Sequence, residues 1–220
     1  MRIRGVAFDV DGTLYSSSAA YLRASHLLLR HPVFLSRYRR VRREIRCLRP
    51  LEDIRKEQAG LLARYMRIPA TQAAQLIESV VYTDWERCFR FVQPYAGLRQ
   101  LLCKLKAMDL TLAVLSDFPV DGKLRHLGLS EIWDVRLCSE DCRYLKPNPE
   151  PFQRLLSLCD LAADAMLYVG NSYEYDVLGA HRIGMATAHL ARRPQRNSVA
   201  TFTFRSYWEF ETRFFGLLGY

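Results

Sequence analysis

Close cysteine pairs are missing from this sequence: Cys47, Cys88, Cys103, Cys138, Cys142 and Cys159 are scattered, with no Cys-x-x-Cys among them. That spacing excludes the common zinc and dithiol redox frameworks and predicts buried free thiols. No apolar run approaches the ~20 residues needed to span a bilayer. Internal repeats and low-complexity tracts are absent too. The start, Met1-Arg2-Ile3-Arg4, runs straight into an apolar stretch without the pattern of an export signal, so the expected location is the cytoplasm. Acids are in short supply, with 23 Asp and Glu against 32 Lys and Arg, for a formal charge of +9.

With 220 residues, half of them hydrophobic, the chain can bury one substantial core, or one core carrying a smaller inserted unit. Its basic excess is concentrated in Arg37, Arg39, Arg40, Arg42, Arg43, Arg46 and Arg49. Val41, Ile45 and Leu48 recur among them at helical spacing, which predicts an amphipathic helix with an apolar stripe inward and arginines over the other faces. Two readings stand. The arginine faces attract phosphate, nucleic acid or anionic lipid, or they are a solvated surface whose stems cover apolar side chains. With Tyr38 as its one aromatic residue, the segment lacks the interleaving expected of a base-stacking platform, which disfavours nucleic acid.

Short apolar runs predict strands at Ile3 to Phe8, Leu110 to Leu115, Trp133 to Cys138, Met166 to Val169 and Ala186 to Leu190, with a possible sixth at Thr201 to Phe204. Between the first and second, the pattern is helical: Leu22 to Leu29, the arginine segment, Leu51 to Arg67 and Ala70 to Phe91, with Pro69 as a break. Further helices are predicted at Leu98 to Met108, Pro151 to Cys159 and Asp176 to Ile183. Ala191 to Val199 reads as a loop, followed by an aromatic C-terminal helix expected to pack on its own sheet rather than on a partner. Such alternation predicts an α/β fold, a Rossmann-like parallel sheet with helices on both faces.

Phe8-Asp9-Val10-Asp11-Gly12-Thr13-Leu14 carries the chemistry. Two carboxylates at the exit of a buried strand repel each other and lose solvation unless a cation or hydrogen bonds compensate. Gly12 permits the sharp turn that faces both to one site. A calcium loop is excluded, because later ligand positions hold Leu14 and serines, with no closing acid before Ala24. Ligands of parallel sheets bind beyond the carboxyl ends of the strands. There the sequence has Ser116 and Asp117, suited to an anion, then Lys146 with Pro147 and Pro149, then Gly170-Asn171-Ser172-Tyr173-Glu174-Tyr175-Asp176.

These four motifs, in this order, resemble those of the haloacid dehalogenase superfamily of hydrolases, and the chain looks most like its phosphoglycolate phosphatase type. The resemblance covers residues 1–14 and 94–220 as the core, with re-entry at Pro94-Tyr95-Ala96-Gly97, and implies that 15–93 is an inserted helical cap. It implies a phosphatase acting on a small phosphorylated metabolite. Asp9 would be the nucleophile that becomes an aspartyl phosphate, and Asp11 the proton donor and base. Gly12, Thr13, Ser116, Asp117 and Lys146 would bind substrate, Ser116 and Lys146 steadying the phosphoryl oxygens. Mg2+ would be held by Asp9, the Asp11 carbonyl, Asn171 and Asp176. Family dehalogenases lack the second aspartate, so Asp11 disfavours that activity.

One position departs from the family pattern. Asn171 stands where an aspartate usually binds the metal, which predicts weaker Mg2+ binding unless Asp176 or Glu174 compensates. A weakened binding or regulatory protein of the same fold, or a phosphotransferase or mutase, is the alternative reading.

Overall fold

The computed structural model describes residues 3–219. Six strands, β1 Gly5–Phe8, β2 Thr111–Ser116, β3 Val135–Cys138, β4 Met166–Gly170, β5 Ala186–Leu190 and β6 Phe202–Phe204, form one sheet. Every pairing is parallel, in the order β3-β2-β1-β4-β5-β6. All side chains of β1 and β4 are buried, as expected of central strands covered on both faces. Alternation divides them. Val6, Phe8, Val114 and Val169 face one helical layer, whereas Ala7, Ala113, Leu115 and Tyr168 face the other.

The helices are α1 Ser17–Arg23, α2 Ser25–Arg30, α3 Pro32–Ile45, α4 Ile54–Met66, α5 Ala70–Leu76 and α6 Trp85–Arg87, then α7 Leu98–Ala107, α8 Asp121–His126, α9 Pro149–Cys159, α10 Leu178–His181 and α11 Tyr207–Leu218. None is long and apolar enough to cross a membrane among the described residues. Phe210 and Phe214 of α11 are buried against the sheet with Phe8 and Phe204. Burying each stabilises by roughly 1.5–3 kcal/mol. Tyr207 Oη donates to the Thr13 carbonyl at 2.6 Å, tying this helix to the aspartate loop. Tyr207, Phe210 and Phe214 are therefore core, as expected of this aromatic segment, while Trp208 stays exposed.

The chain leaves the sheet after β1 and returns where Tyr15 bridges Pro94, with the Tyr95 N–H donating to the Leu14 carbonyl at 2.9 Å. Helices α1 to α6 lie between. Phe34, Tyr38, Val41, Ile45, Ile54 and Leu62 give this helical insert, called the cap below, its own apolar cluster, which Leu145 joins from the other side. After the cap the chain builds β2 and β3 on one side of β1, then crosses to β4 on the other. Such a reversal leaves a crevice at the carboxyl end of the central strand, where Asp9 begins.

Several elements differ from the sequence expectation. The first strand starts at Gly5 and the third at Val135, where Asp134 Oδ2 accepts the Leu112 N–H at 2.8 Å and the ladder begins one pair later. The segment expected as one helix from Ala70 to Phe91 is α5, a wider π-helical stretch at Ile77–Asp84, α6 and a 3-10 turn at Cys88–Phe91. Helix α8 lies where none was expected. Of the six cysteines, all free, only Cys138 is buried; Cys47 and Cys103 are exposed and the rest partly so, which corrects the expectation of buried thiols.

Candidate active site

Asp9 follows β1 directly, and its N–H donates to the Val169 carbonyl at 2.8 Å, so the carboxylate is fixed by the sheet itself. Its Oδ1 accepts from Lys146 Nζ at 2.8 Å, and its Oδ2 from Thr13 Oγ1 at 2.9 Å. Burial, helped by the neighbouring Asp176 and Asp11, pushes Asp9 up to about 7 against the pull of Lys146. Lys146 also donates to Asp176 Oδ1 at 2.6 Å and Tyr168 Oη at 3.2 Å. Burial alone would lower the lysine, but Asp176 and Asp9 outweigh it and hold the ammonium well above its ordinary value.

Asp11 has different partners. Lys123 Nζ donates to its two oxygens at 2.5 and 2.6 Å, Ser116 Oγ to Oδ2 at 2.9 Å, and Tyr15 Oη to Oδ1. Burial pushes this carboxyl up, yet Lys123 and the two hydroxyls prevail and keep it below its usual value. Two acids two residues apart are thus driven in opposite directions.

Gly12, at φ +91°, has the left-handed backbone expected of it, and a Cβ there would lie 2.4 Å from Asn171 Nδ2 and from Ser17 Oγ. Asn171 Oδ1 lies 3.3 Å from Thr13 Oγ1, the hydroxyl bonded to Asp9 Oδ2, so the two oxygens are neighbours. Asp176 is engaged on both sides, Oδ1 by Lys146 and Oδ2 by the Ser172 N–H at 2.9 Å. Behind Asn171, His189 Nε2 lies 3.3 Å from its carbonyl. No group of three or more His, Cys, Asp or Glu suited to a metal occurs among the described residues; the oxygens that gather here come from carboxylates and an amide.

The cap closes the crevice through two arginines, Arg42 of α3 and Arg46 just past its end. Arg42 Nη1 donates to Glu140 Oε1 and at 3.0 Å to Gln58 Oε1, while Nη2 donates to the Asp117 carbonyl at 2.8 Å. Arg46 pairs with the Asp117 carboxylate and donates through Nε to the Lys146 carbonyl at 2.7 Å. Between cap and sheet lies a cavity of about 650 Å³, lined by Asp11 and Lys123 on one side and Arg39, Arg43 and Tyr82 on the other.

A model of haloacid dehalogenase-like hydrolases matches residues 3–184. The chain belongs to that family. It is 29% identical over 198 residues to glyceraldehyde 3-phosphate phosphatase of Methanopyrus kandleri, covering 86% of this chain and 84% of that protein. Pyrophosphatase PpaX of Bacillus cereus is 26% identical over 192 residues, covering 86% and 83%. Among solved structures, the HAD-hydrolase YfnB of Bacillus subtilis, bound to magnesium, superposes with a TM-score of 0.70 at 19% identity, covering 97% of this chain and 99% of that one. At that identity the superposition shows the fold.

Within this hydrolase, Asp9, Asp11, Thr13, Ser116, Lys146, Asn171 and Asp176 converge at the ends of β1, β2 and β4. The Asp117 carboxylate is taken by Arg46 and, at 3.1 Å, by the Lys146 N–H. The basic segment is divided between the two sides of the crevice and solvent. Arg42 is buried and Arg46 nearly so, both ion-paired across the crevice, while Arg37, Arg39, Arg40, Arg43 and Arg49 are exposed. Lys123 and Tyr15 were not anticipated. Lys123 is seven residues past Ser116, on the unexpected α8, and only a helix starting at Asp121 brings it back over the strand end.

Proposed function

We propose that this hydrolase is a phosphatase of small phosphorylated metabolites that works through an aspartyl phosphate on Asp9, with Mg2+ as cofactor. The reading takes residues 1–14 and 94–220 as the catalytic unit and 15–93 as its cap. Its main support is the opposed setting of the two aspartates, Asp9 against Lys146 and Asp11 against Lys123. An Asp9 oxygen forms the new bond to phosphorus while the ester oxygen leaves with its electron pair. Asp11, two residues on, is placed to hand that oxygen a proton and to take one from the water that later opens the acyl phosphate, an exchange typically worth ~10²–10⁴-fold. The tight hold of Lys123, Ser116 and Tyr15 suits the proton-accepting half. Lys146 and Ser116 supply cation and hydroxyl to the phosphoryl oxygens.

The donor set fits a hard cation. The Asp9 carboxylate, the Asp11 carbonyl and the Asn171 amide oxygen would hold Mg2+, and Asp176, its own oxygens engaged, would add charge from behind. When bound, the cation offsets phosphoryl charge and favours ionised Asp9. Asn171 brings no charge, and this favours a second reading: a protein that binds phosphorylated ligands with little turnover.

The test is phosphate release from an aryl phosphate and a panel of phosphorylated metabolites, with Mg2+ titrated and Asp9→Asn as control. Metal-dependent release that vanishes in the variant is expected. A folded protein with no release at any Mg2+ concentration would overturn the phosphatase reading in favour of the second.

A further inference from the structure

The cavity in front of Asp11, about 650 Å³, sits in the middle of the ~300–1,000 Å³ range that holds drug-sized ligands. A phosphoryl group on a two- or three-carbon alcohol would leave most of it to water. Its walls offer something more specific. Tyr21 and Trp85 of the cap meet edge to face at 5.5 Å, and Phe118, with the Arg42 guanidinium stacked 4.2 Å from its ring centre, lines the same space just past the end of β2. Rings arranged so are a natural seat for another ring.

Charge supplies the second constraint. Of the ionisable side chains lining the cavity, Lys123 is matched by Asp11, Arg42 by Glu140 and Arg46 by Asp117. Arg39 and Arg43 have no carboxylate within ion-pair distance among the described residues. They are four residues apart on α3, hence on one helical face. The other lining acid, Glu86, lies against Gly122 of α8, where an added Cβ would meet its carboxylate at 1.9 Å. With phosphate at Asp9, the cap arginines are left facing a space that holds the rest of the substrate. Guanidinium groups bind carboxylate or phosphate oxygens with paired hydrogen bonds.

We propose that the preferred substrates are phosphate esters whose alcohol carries an aromatic ring and a second anionic group, the ring lying among Tyr21, Trp85 and Phe118 and the anion at Arg39 and Arg43. The proposal rests on the phosphatase reading and names its substrate class. Three probes test it: the phosphate ester of 3-(4-hydroxyphenyl)propanoate, the matching propanamide ester, and glycerol 1-phosphate. The first two share a leaving group and differ by one charge; the third has neither ring nor second anion.

Binding is measured by calorimetry on Asp9→Asn, which cannot form the phosphoryl-enzyme, and turnover on the native chain. The propanoate ester is expected to bind about tenfold more tightly than the amide, with glycerol 1-phosphate weakest, and the two-ester ratio to fall to about one when Arg39→Gln and Arg43→Gln are added. Equal binding of the two aryl esters, a ratio that survives loss of both arginines, or glycerol 1-phosphate binding as well as either, would overturn the proposal. Turnover separates the two failures. Discrimination in binding without phosphate release upholds the site and sinks the phosphatase reading; metal-dependent release without discrimination does the reverse.

Discussion

The sheet wall and the cap wall of the crevice both set cations beside carboxylates, yet they are assembled on different principles. On the sheet wall Asp9 and Asn171 follow strands and Ser116 ends one, so parallel register alone brings these three to one end of the sheet. On the cap wall a single helix presents arginines in every direction, and what separates Arg42 from Arg43 is an acid 98 residues further along, Glu140. Position fixes the first wall; pairing fixes the second. Local sequence encodes the one and only the folded chain reveals the other.

The largest effect expected is on the sheet wall. Asp9→Asn should lower turnover at least ~10³-fold, because no other carboxylate is placed to take the covalent role proposed for it. Stability should barely change, since burial already pushes Asp9 up to about 7 and the neutral amide avoids that cost. Steady-state rates and urea denaturation of the two proteins check both halves. A variant that unfolds would show the Asp9–Lys146 pair to be structural, as the cap pairs are.

On the cap wall, neighbouring arginines should diverge. Arg42→Met leaves Glu140 buried beside Tyr82 and Gln58 without its cation, a loss of about 3–5 kcal/mol for a broken buried pair. Arg43→Gln, exposed and without an acid partner, should stay within about 0.5 kcal/mol of the native chain. Urea midpoints measure both. Similar losses would mean that the helix is held by its total charge and not by the pairs observed.

The same contrast explains what was legible in the sequence. Strand runs such as Thr111–Ser116 announce themselves by unbroken burial, and the residues just after them follow without any knowledge of tertiary contacts. Lys123 escaped because α8 is six residues long and too short to show a period. Arg42 and Arg46 escaped because arginine stems fit either solvent or core, and a partner distant in sequence decides. The partner of the Asp117 carboxylate is illegible for a related reason: Arg46, 71 residues away in sequence, draws it toward the cap.

A smaller effect is expected at the proposed metal donors. Asn171→Asp adds one charge beside Asp9 Oδ2 and should tighten Mg2+ about tenfold, within the range by which single groups tune such sites. A Mg2+ titration of the variant reads this directly by calorimetry and again through activity. Unchanged or weaker metal dependence would reject it and imply that Asp176, held in place by Lys146 and Ser172, already provides the missing charge.

Asp117 gives the finest test, because it belongs to both walls: it accepts from Arg46 of the cap and from the Lys146 N–H on the sheet side. Burial pushes its carboxyl up, but Arg46, Lys146 and Arg42 together bring it below the ordinary 3.8. A carboxylate lowered on folding contributes stability that is fully present above its unfolded value and is lost as the pH falls through its folded value. The native chain should therefore be more stable than Asp117→Asn at neutral pH. That advantage should shrink only once the pH drops below about 4, and denaturation of both proteins across that range measures it. A difference independent of pH would assign the union of cap and sheet to the arginine bonds on the Asp117 and Lys146 carbonyls, which carry no titratable charge.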